Sequence, residues 1–224
     1  MQWALAVDGR LCTPEGAMVQ VEMRPARPDE AAVGGHLIFL AAPTIFSYTF
    51  ALPPAQAEQL LVDLWPSPMH LLSHQWTHMA VVDGAVLGLQ LAYPVRHALR
   101  AGLATARVIG RRFPLRQILT MAWHGWAVVR ISAWMGPSDY YLAFGSVLPE
   151  ARSRGVGRQM LAFGEEEARR AGCKRCLLDV FVGNDRARAL VEECGFRLIA
   201  VKRSARLART TGYGGVQRLE KPLP

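Results

Sequence analysis

The chain of 224 residues is poor in lysine and cysteine, and long stretches of uncharged apolar residues are missing. Four cysteines in a chain of this length do not suggest a disulfide framework, so we expect a reducing, cytoplasmic location. No run of 18 uncharged apolar residues occurs, and the sequence therefore predicts no membrane-spanning helix. Hydrophobic residues make up 51% of the chain, which is enough for one sizeable core.

Acidic residues are absent between Asp83 and Asp139, and lysine is absent there too. Nearly all of the formal net charge of +8 therefore lies in this segment. A basic, acid-free segment is typical of contact with an anionic membrane surface, and a homodimer interface is a second option. Nucleic acid is disfavoured because no nucleic-acid-binding motif accompanies the charge. The charge comes from seven arginines: Arg96, Arg100, Arg107, Arg111, Arg112, Arg116 and Arg130.

The pattern of hydrophobic residues predicts one domain over residues 18–224, preceded by an extension over residues 1–17. Residues 95–138 are helical in pattern, with a break near Pro114, and form an insert in this domain. Asp83-Gly84 between two apolar runs is a strong hairpin signal. The other predicted elements are strands at Val19–Met23, 140–147, 177–182, 196–201 and 216–219, and helices at 29–41, 54–65, after Gly157 and after Asn184.

Two common phosphate-binding loops are missing from the sequence. No Gly-Lys-Ser/Thr run is present, and the dinucleotide fingerprint lacks its third glycine because Met160 stands at that position. A basic loop with the pattern Arg152-x-x-Gly155-x-Gly157 is present instead, between a predicted strand and a predicted helix. A helix start offers unpaired N–H groups and the positive end of the helix dipole, so this loop predicts a phosphate site.

A second segment follows at a fixed distance, and the two together carry a family resemblance. The predicted strand that ends near Val182 leads to Asn184, a good helix N-cap, and Gly195-Phe196 ends the helix that follows. Residues 139–203 resemble the two cofactor-binding motifs of the GNAT (GCN5-related) N-acetyltransferase superfamily. The chain looks most like bacterial members with a long helical insert before the cofactor-binding strand.

The resemblance implies an α/β (α+β) fold with a mixed, mostly antiparallel sheet flanked by helices. It also implies acetyl-CoA as cosubstrate, no metal, and direct transfer of acetyl to an amine in a ternary complex. The amine acceptor is on a small molecule or a protein. The residues expected to bind the cofactor are Gly145, Ser146, Val147, Arg152, Ser153, Arg154, Gly155, Val156, Gly157, Arg158 and Asn184.

Catalytic residues are less well defined by the resemblance. Asp179 stands where some relatives have a general base. The alternatives are an exposed residue on a strand face and a partner for a nearby arginine. Many family members have a tyrosine that protonates the leaving thiolate where this chain has Val191. Tyr141 is a candidate to replace it, and Tyr140 and Ser146 are others. The same departure leaves open a non-catalytic acyl-CoA-binding sensor or interaction domain.

The acceptor site is expected in the insert, because in this family the acceptor enters among the segments before the cofactor strand. Trp123, Trp126, Arg130 and Trp134 share one helical face with Leu119 at three- and four-residue steps. An arginine between tryptophans can hold a carboxylate or stack on a ring. The alternatives are tryptophans that belong to the core and an enzyme that acts at an anionic membrane surface.

Overall fold

The computed structural model describes residues 11–12, 18–131 and 135–224. Most of the predicted extension over residues 1–17, and Trp134, lie outside the described residues. In chain order the strands are β1 (Leu11–Cys12), β2 (Met18–Val19), β3 (Glu22–Pro25), β4 (Thr77–Val82), β5 (Ala85–Pro94), β6 (Asp139–Val147), β7 (Arg175–Phe181), β8 (Arg197–Arg203) and β9 (Gly215–Pro222). The α-helices are α1 (Ala31–Ala41), α2 (Pro43–Phe50), α3 (Pro54–Leu64), α4 (Ala98–Gly110), α5 (Leu115–Val129), α6 (Val156–Arg170), α7 (Asp185–Glu193) and α8 (Ala205–Thr211).

Seven strands form one open sheet in the order β3-β4-β5-β6-β7-β9-β8. Every neighbouring pair is antiparallel except β6 and β7, which run parallel at the centre of the sheet. Strands β1 and β2 pair with each other in a separate two-stranded ladder. The mixed, mostly antiparallel sheet predicted from the sequence is confirmed.

The predicted hairpin at Asp83-Gly84 is present between β4 and β5. Both turn residues have a positive φ, 49° for Asp83 and 78° for Gly84, as a tight two-residue turn between twisted strands requires. The helices predicted at 29–41 and 54–65 are α1 and α3. The helical pattern of residues 95–138 resolves into α4 and α5, and Pro114 is the N-cap of α5.

Two helices, α2 and α8, are not anticipated by the sequence patterns. The α2 segment is rich in β-branched and aromatic residues, which favour strands in isolation. Burial of Ile45, Phe46 and Phe50 on one side of α2 outweighs that preference. The α8 segment is short and polar, but Ser204 caps it at one end and Gly212, with φ of 78°, ends it.

The sheet carries a hydrophobic cluster on each face. Successive residues of a strand alternate between the faces, so Tyr141 packs with α1, α2 and α3 while Leu142 packs with α6 and α7. The first cluster includes the fully buried Trp65, and a Cβ at Gly34 would lie 2.4 Å from its ring. Close contact between α1 and α3 therefore depends on glycine at that position.

No single helix in the described ranges is long and apolar enough to cross a membrane. The segments Pro28–Ala41 and Pro43–Phe50 meet the length and composition criteria when taken together, but they bend by 98° between them. Both contribute buried side chains to the core of the domain, including Leu37 and Phe46.

Candidate active site

The central parallel strands separate partway along their length and open a cleft. Strands β6 and β7 pair over four positions, from Asp139 opposite Arg175 to Leu142 opposite Leu178. Beyond that point β6 follows β5, and β7 follows β9. The β5–β6 register shifts at Ala143, which has no opposite residue on β5, and such a bulge bends a strand. The bulge thus lies where the two strands begin to diverge.

An ion-pair cluster holds the closed end of the cleft. Arg175 on β7 donates to both carboxylate oxygens of Asp139 on β6, at 2.7 and 3.1 Å, and to Glu220 on β9 at 2.7 Å. Burial alone would raise the pKa of Asp139, but hydrogen bonds from Arg175 and from the Gly136 N–H outweigh burial and lower it. Three adjacent strands are therefore tied together by one guanidinium.

The edge of β6 that faces the cleft carries main-chain groups beyond the ladder with β7. The Leu148 N–H donates to the Leu87 carbonyl on the β5 side, whereas the Val147 carbonyl accepts from Arg152 on the cleft side. Because main-chain groups alternate in direction along a strand, Gly145 faces the cleft as Val147 does. Ser146 faces β5, and its hydroxyl donates to the Leu37 carbonyl of α1 at 2.7 Å.

Gly145 is not explained by packing within the protein. A Cβ there would lie 3.9 Å from its nearest neighbour, the Met160 side chain, which is an ordinary contact distance. The strand bulge is at Ala143 rather than at Gly145. Glycine at this point leaves the backbone of the cleft open to close approach of a ligand.

The first turn of α6 lies beside the open end of the cleft. Gly155 is the N-cap, with φ of 75°, and no described side chain caps the helix. The N–H groups of Val156 and Gly157 therefore sit at the positive end of the helix without a carbonyl partner in the helix itself. A Cβ at Gly157 would lie 3.1 Å from Leu190, so glycine also lets α6 pack close to α7. A cavity of about 470 Å³ lies in front of this turn.

Four arginines surround the turn, and they differ in position. Arg152 and Arg158 line the cavity, but Arg158 is paired with Glu193 at 2.6 Å. Arg154 is exposed and lies outside the cavity lining. Arg186, which the sequence patterns do not single out, lines the cavity and donates to the Ser153 hydroxyl at 2.6 Å. Its place in the first turn of α7, two residues after Asn184, is the signal that points to it.

Asn184 is the N-cap of α7, as its position in the sequence predicts. Its side-chain oxygen accepts from the Ala187 N–H at 3.2 Å. The side chain is exposed and lines both this cavity and a second, deeper one. Because an amide has separate donor and acceptor groups, capping leaves the NH₂ group free to contact a ligand.

The second cavity, of about 300 Å³, lies between the diverging strands and is continuous in its lining with the first. Gly145 and Gly157 belong to the walls of both. Its polar side chains include Asp179 and Gln90. Six apolar side chains contribute much of the remaining wall: Ile45, Val128, Ile131, Phe144, Phe181 and Val216.

Asp179 and Tyr141 lie in contact within this cavity, and a buried arginine joins them. Arg218 on β9 is 1% exposed and donates to both oxygens of Asp179 at 2.5 Å. The Tyr141 hydroxyl donates to Asp179 at 3.0 Å. Burial raises the pKa of Tyr141 well above its usual value, and the charge of Asp179 raises it further. Partnership of Asp179 with an arginine, left open by the sequence, is thus observed, and its role as a base stays a prediction.

Val191 is buried and lines the same cavity, so its side chain offers no proton there. Tyr140 points to the opposite face of the sheet, among the side chains packed with α6 and α7, where burial raises the pKa of its hydroxyl. Of the candidates to replace the missing tyrosine, Tyr141 and Ser146 are at the cavity. Their catalytic roles are untested by this geometry.

The residues predicted to bind the acceptor lie elsewhere. Trp123 and Trp126 are 53% and 51% exposed, so the alternative that they belong to the core is wrong. Their rings stack at 5.8 Å between centroids, and the Arg130 guanidinium lies 4.6 Å from the centre of the Trp126 ring. All three lie outside the described lining of both cavities, whereas Val128 of α5 lines the deeper one. An acceptor role for them stays a prediction.

Known proteins share this architecture. An N-acetyltransferase from Staphylococcus aureus Mu50 superimposes with a TM-score of 0.67 and 15% identity over 89% of this chain and 100% of its own. A GCN5-related N-acetyltransferase from Kribbella flavida gives 0.56 and 21% over 94% and 100%, respectively. A Bacillus subtilis acetyltransferase in complex with CoA gives 0.53 and 13% over 92% and 99%.

These identities are low, and the likenesses establish the fold. No curated protein matches the chain in sequence. Residues 115–196, which include α5, the cleft and its flanking helices, match the model of the acetyltransferase (GNAT) family. The family match over this part of the chain agrees with the fold that the solved acetyltransferases share with it.

Proposed function

We propose that the protein is an N-acetyltransferase that moves the acetyl group of acetyl-CoA directly to an amine on a small molecule or a protein. The observation that carries this proposal is the cleft between β6 and β7, whose open backbone edge leads to the uncapped first turn of α6. An extended amide-containing chain with a diphosphate at one end matches those two features in order. Pantetheine and the pyrophosphate of CoA are such a chain.

The pyrophosphate binds at the first turn of α6 in this proposal. The N–H groups of Val156 and Gly157 and the positive helix end supply the main attraction. Arg152 and Arg186 line the cavity and add positive charge beside them. The pantetheine amides bond to the main chain of Gly145 and Val147, and the Asn184 amide contacts them from the opposite wall.

The chemistry is nucleophilic substitution at the thioester. The lone pair of a neutral amine attacks the carbonyl carbon, the C–N bond forms, the C–S bond breaks, and the sulfur leaves as a thiolate. In this proposal the Gly145 N–H donates to the oxygen on which negative charge develops. The amine nitrogen releases one proton, which Asp179 would accept through a water despite its pairing with Arg218.

The acceptor end of the cleft selects for an apolar group next to the amine. The deeper cavity is walled mainly by aliphatic and aromatic side chains from α2, α5, β6, β7 and β9. Such a lining stabilises an apolar body by excluding water. We therefore expect alkyl or aryl amines to be better acceptors than strongly polar ones of the same size.

The test is release of free CoA thiol from acetyl-CoA, followed across a panel of primary amines and N-terminal peptides. We expect turnover that depends on the amine and yields one N-acetylated product per thiol, identified by mass spectrometry. Thiol release without an acetylated amine would indicate hydrolysis and contradict the proposal. Asp179→Asn should shift the pH profile of kcat/KM if Asp179 is the base, whereas an unshifted profile would exclude that role.

A second candidate function is a non-catalytic sensor of acyl-CoA. Two observations favour it: Val191 offers no proton to the leaving thiolate, and both oxygens of Asp179 are bonded to Arg218. Calorimetric titration with acetyl-CoA, run beside the amine panel, separates the two functions. Binding with no turnover on any amine supports the sensor, and turnover excludes it.

A further inference from the structure

The outer faces of α4 and α5 expose an unusual amount of apolar surface. Of the eleven large hydrophobic side chains that are exposed in the described part of the chain, seven belong to these two helices. Isolated exposed hydrophobics need no explanation, but a concentration on adjacent elements marks an interaction surface. We call this set the apolar face of the insert: Leu99, Leu103, Leu115, Leu119, Trp123, Trp126 and Val129.

The apolar face is built on helical spacing. Leu115, Leu119, Trp123 and Trp126 follow one another at steps of four, four and three residues, so they form one stripe along α5. The opposite side of α5 is also apolar, because Met121 is buried in the core. A helix that met only water on its outer side would carry polar residues there.

The charged residues that belong to these two helices have one sign. Arg100, Arg107 and Arg116 are exposed on the same two helices, and no acidic residue occurs between Asp83 and Asp139. The guanidinium of Arg206 on α8 lies 5.1 Å from the centre of the Trp123 ring, which adds a further positive charge. Exposed arginines beside leucine and tryptophan, on helices that carry no acidic residue of their own, fit an anionic surface that has an apolar interior.

A second copy of the chain is a poor occupant on the same grounds. Joining two apolar faces would bring two sets of exposed arginines together, on helices without acidic residues to pair with them, and like charges repel across a low-dielectric contact. We propose that the apolar face of the insert docks on an anionic lipid surface. Leucine and tryptophan enter the boundary between headgroups and acyl chains, and the arginines pair with lipid phosphates.

Flotation of the full chain with lipid vesicles tests this proposal. One vesicle set is phosphatidylcholine, and the other contains equal amounts of phosphatidylcholine and phosphatidylglycerol. We expect a bound fraction at least about tenfold higher on the anionic set, falling as salt is raised from 0.1 to 0.5 M because screening weakens surface charge. No binding to anionic vesicles, or equal binding to both sets, would overturn the proposal.

Matched variants locate the contact. Leu115→Ser with Leu119→Ser should abolish flotation, whereas Leu198→Ser with Val201→Ser, exposed on β8, should leave it unchanged. Arg107→Glu with Arg116→Glu should abolish it too, with the exposed Arg197→Glu and Arg203→Glu as the control pair. Unchanged thermal unfolding and acetyl-CoA binding show that each variant is folded. If the insert and β8 pairs lower flotation equally, the face is not the contact.

The other occupants give different results in the same samples. Sedimentation that shows a dimer of the wild-type chain, converted to monomer by the leucine pair, would identify a second copy as the occupant and overturn the lipid proposal. Binding to a single-stranded RNA in the absence of any vesicle binding would overturn it as well. Neither result depends on whether the cleft catalyses acetyl transfer.

Discussion

The cleft between β6 and β7 and the apolar face of the insert are both candidate binding surfaces, but they are built in different ways. In the cleft, recognition rests on main-chain groups whose directions are fixed by strand pairing and by the start of a helix. On the insert, it rests on exposed side chains of one general character with no fixed polar geometry. The first arrangement suits one particular ligand, whereas the second suits an extended surface.

The difference is sharpest for charge. Asp179 and Arg218 in the cleft are a buried pair, and Asp179→Ala would leave the guanidinium of Arg218 without that carboxylate. We expect a loss of about 3–5 kcal/mol in the free energy of unfolding. The exposed Arg116 in the insert is the control, and its replacement by alanine should change stability by less than about 0.5 kcal/mol. Urea titrations of both variants measure the two effects, and equal losses would contradict the comparison.

Gly145 in the cleft and Gly102 in the insert have similar free space around them, so substitutions at the two positions can be compared. A Cβ at Gly145 in the cleft and one at Gly102 in α4 would each have a nearest neighbour at 3.9 Å. Gly145→Val should lower acetyl-CoA affinity on the order of 100-fold, about 2.7 kcal/mol, because the new side chain stands beside the main chain that the ligand must approach. Its melting temperature should stay close to that of the parent. Calorimetric titration with acetyl-CoA measures the affinity of the Gly145→Val variant. An unchanged affinity would show that the ligand does not run along β6.

Substitutions in the cavity at the first turn of α6 should lower acetyl-CoA affinity by a smaller amount. Arg152→Ala and Arg186→Ala should each lower acetyl-CoA affinity roughly tenfold, about 1.4 kcal/mol, because each removes a charge from the pyrophosphate cavity. Arg107→Ala in the insert should leave the affinity unchanged. If the acetyl-CoA affinity of the insert variant fell as well, the net charge of the protein rather than the position of the arginine would be the cause.

The smallest expected effect is a gain in the free energy of unfolding. Gly102 lies inside α4, where glycine is less favourable than alanine, and the added methyl group would lie at an ordinary contact distance, 3.9 Å, from the Leu71 side chain. Gly102→Ala should stabilise the protein by about 0.5–1 kcal/mol, with acetyl-CoA affinity unchanged. A thermal melt beside a titration with acetyl-CoA checks both halves of this expectation. A loss of stability would mean that α4 packs more tightly than the structure shows.

Sequence patterns predict the elements that form the cleft because the signals for each element are local. The strand, the glycine loop, the helix start and the Asn184 cap can each be read within a few residues. The sequence patterns do not predict a role for Arg186, because its contact with Ser153 spans 33 positions. The ion pair of Asp179 with Arg218 spans 39 and depends on the pairing of β7 with β9. Long-range contacts of this kind follow from strand order, which local patterns do not contain.

For the insert, the sequence predicts which residues share a helix face but not which way that face points. Helical spacing places Leu119, Trp123, Trp126 and Arg130 on one face of α5, and that placement agrees with the exposed stripe in the structure. The direction of the face cannot be read from the spacing, since both sides of α5 are apolar. Packing of Met121 into the core turns the tryptophans outward.

The ion-pair cluster of Arg175 with Asp139 and Glu220 fixes the position of the closed end of the cleft. The fork between β6 and β7 has a set depth, because its vertex is tied across three strands and filled by Leu142 and Leu178. In the acetyl-CoA complex proposed above, the distance from the first turn of α6 to that vertex sets the length available to the pantetheine arm. In that complex an acyl chain longer than acetyl would have to turn sideways into the apolar cavity, where it would compete with the acceptor for the same volume.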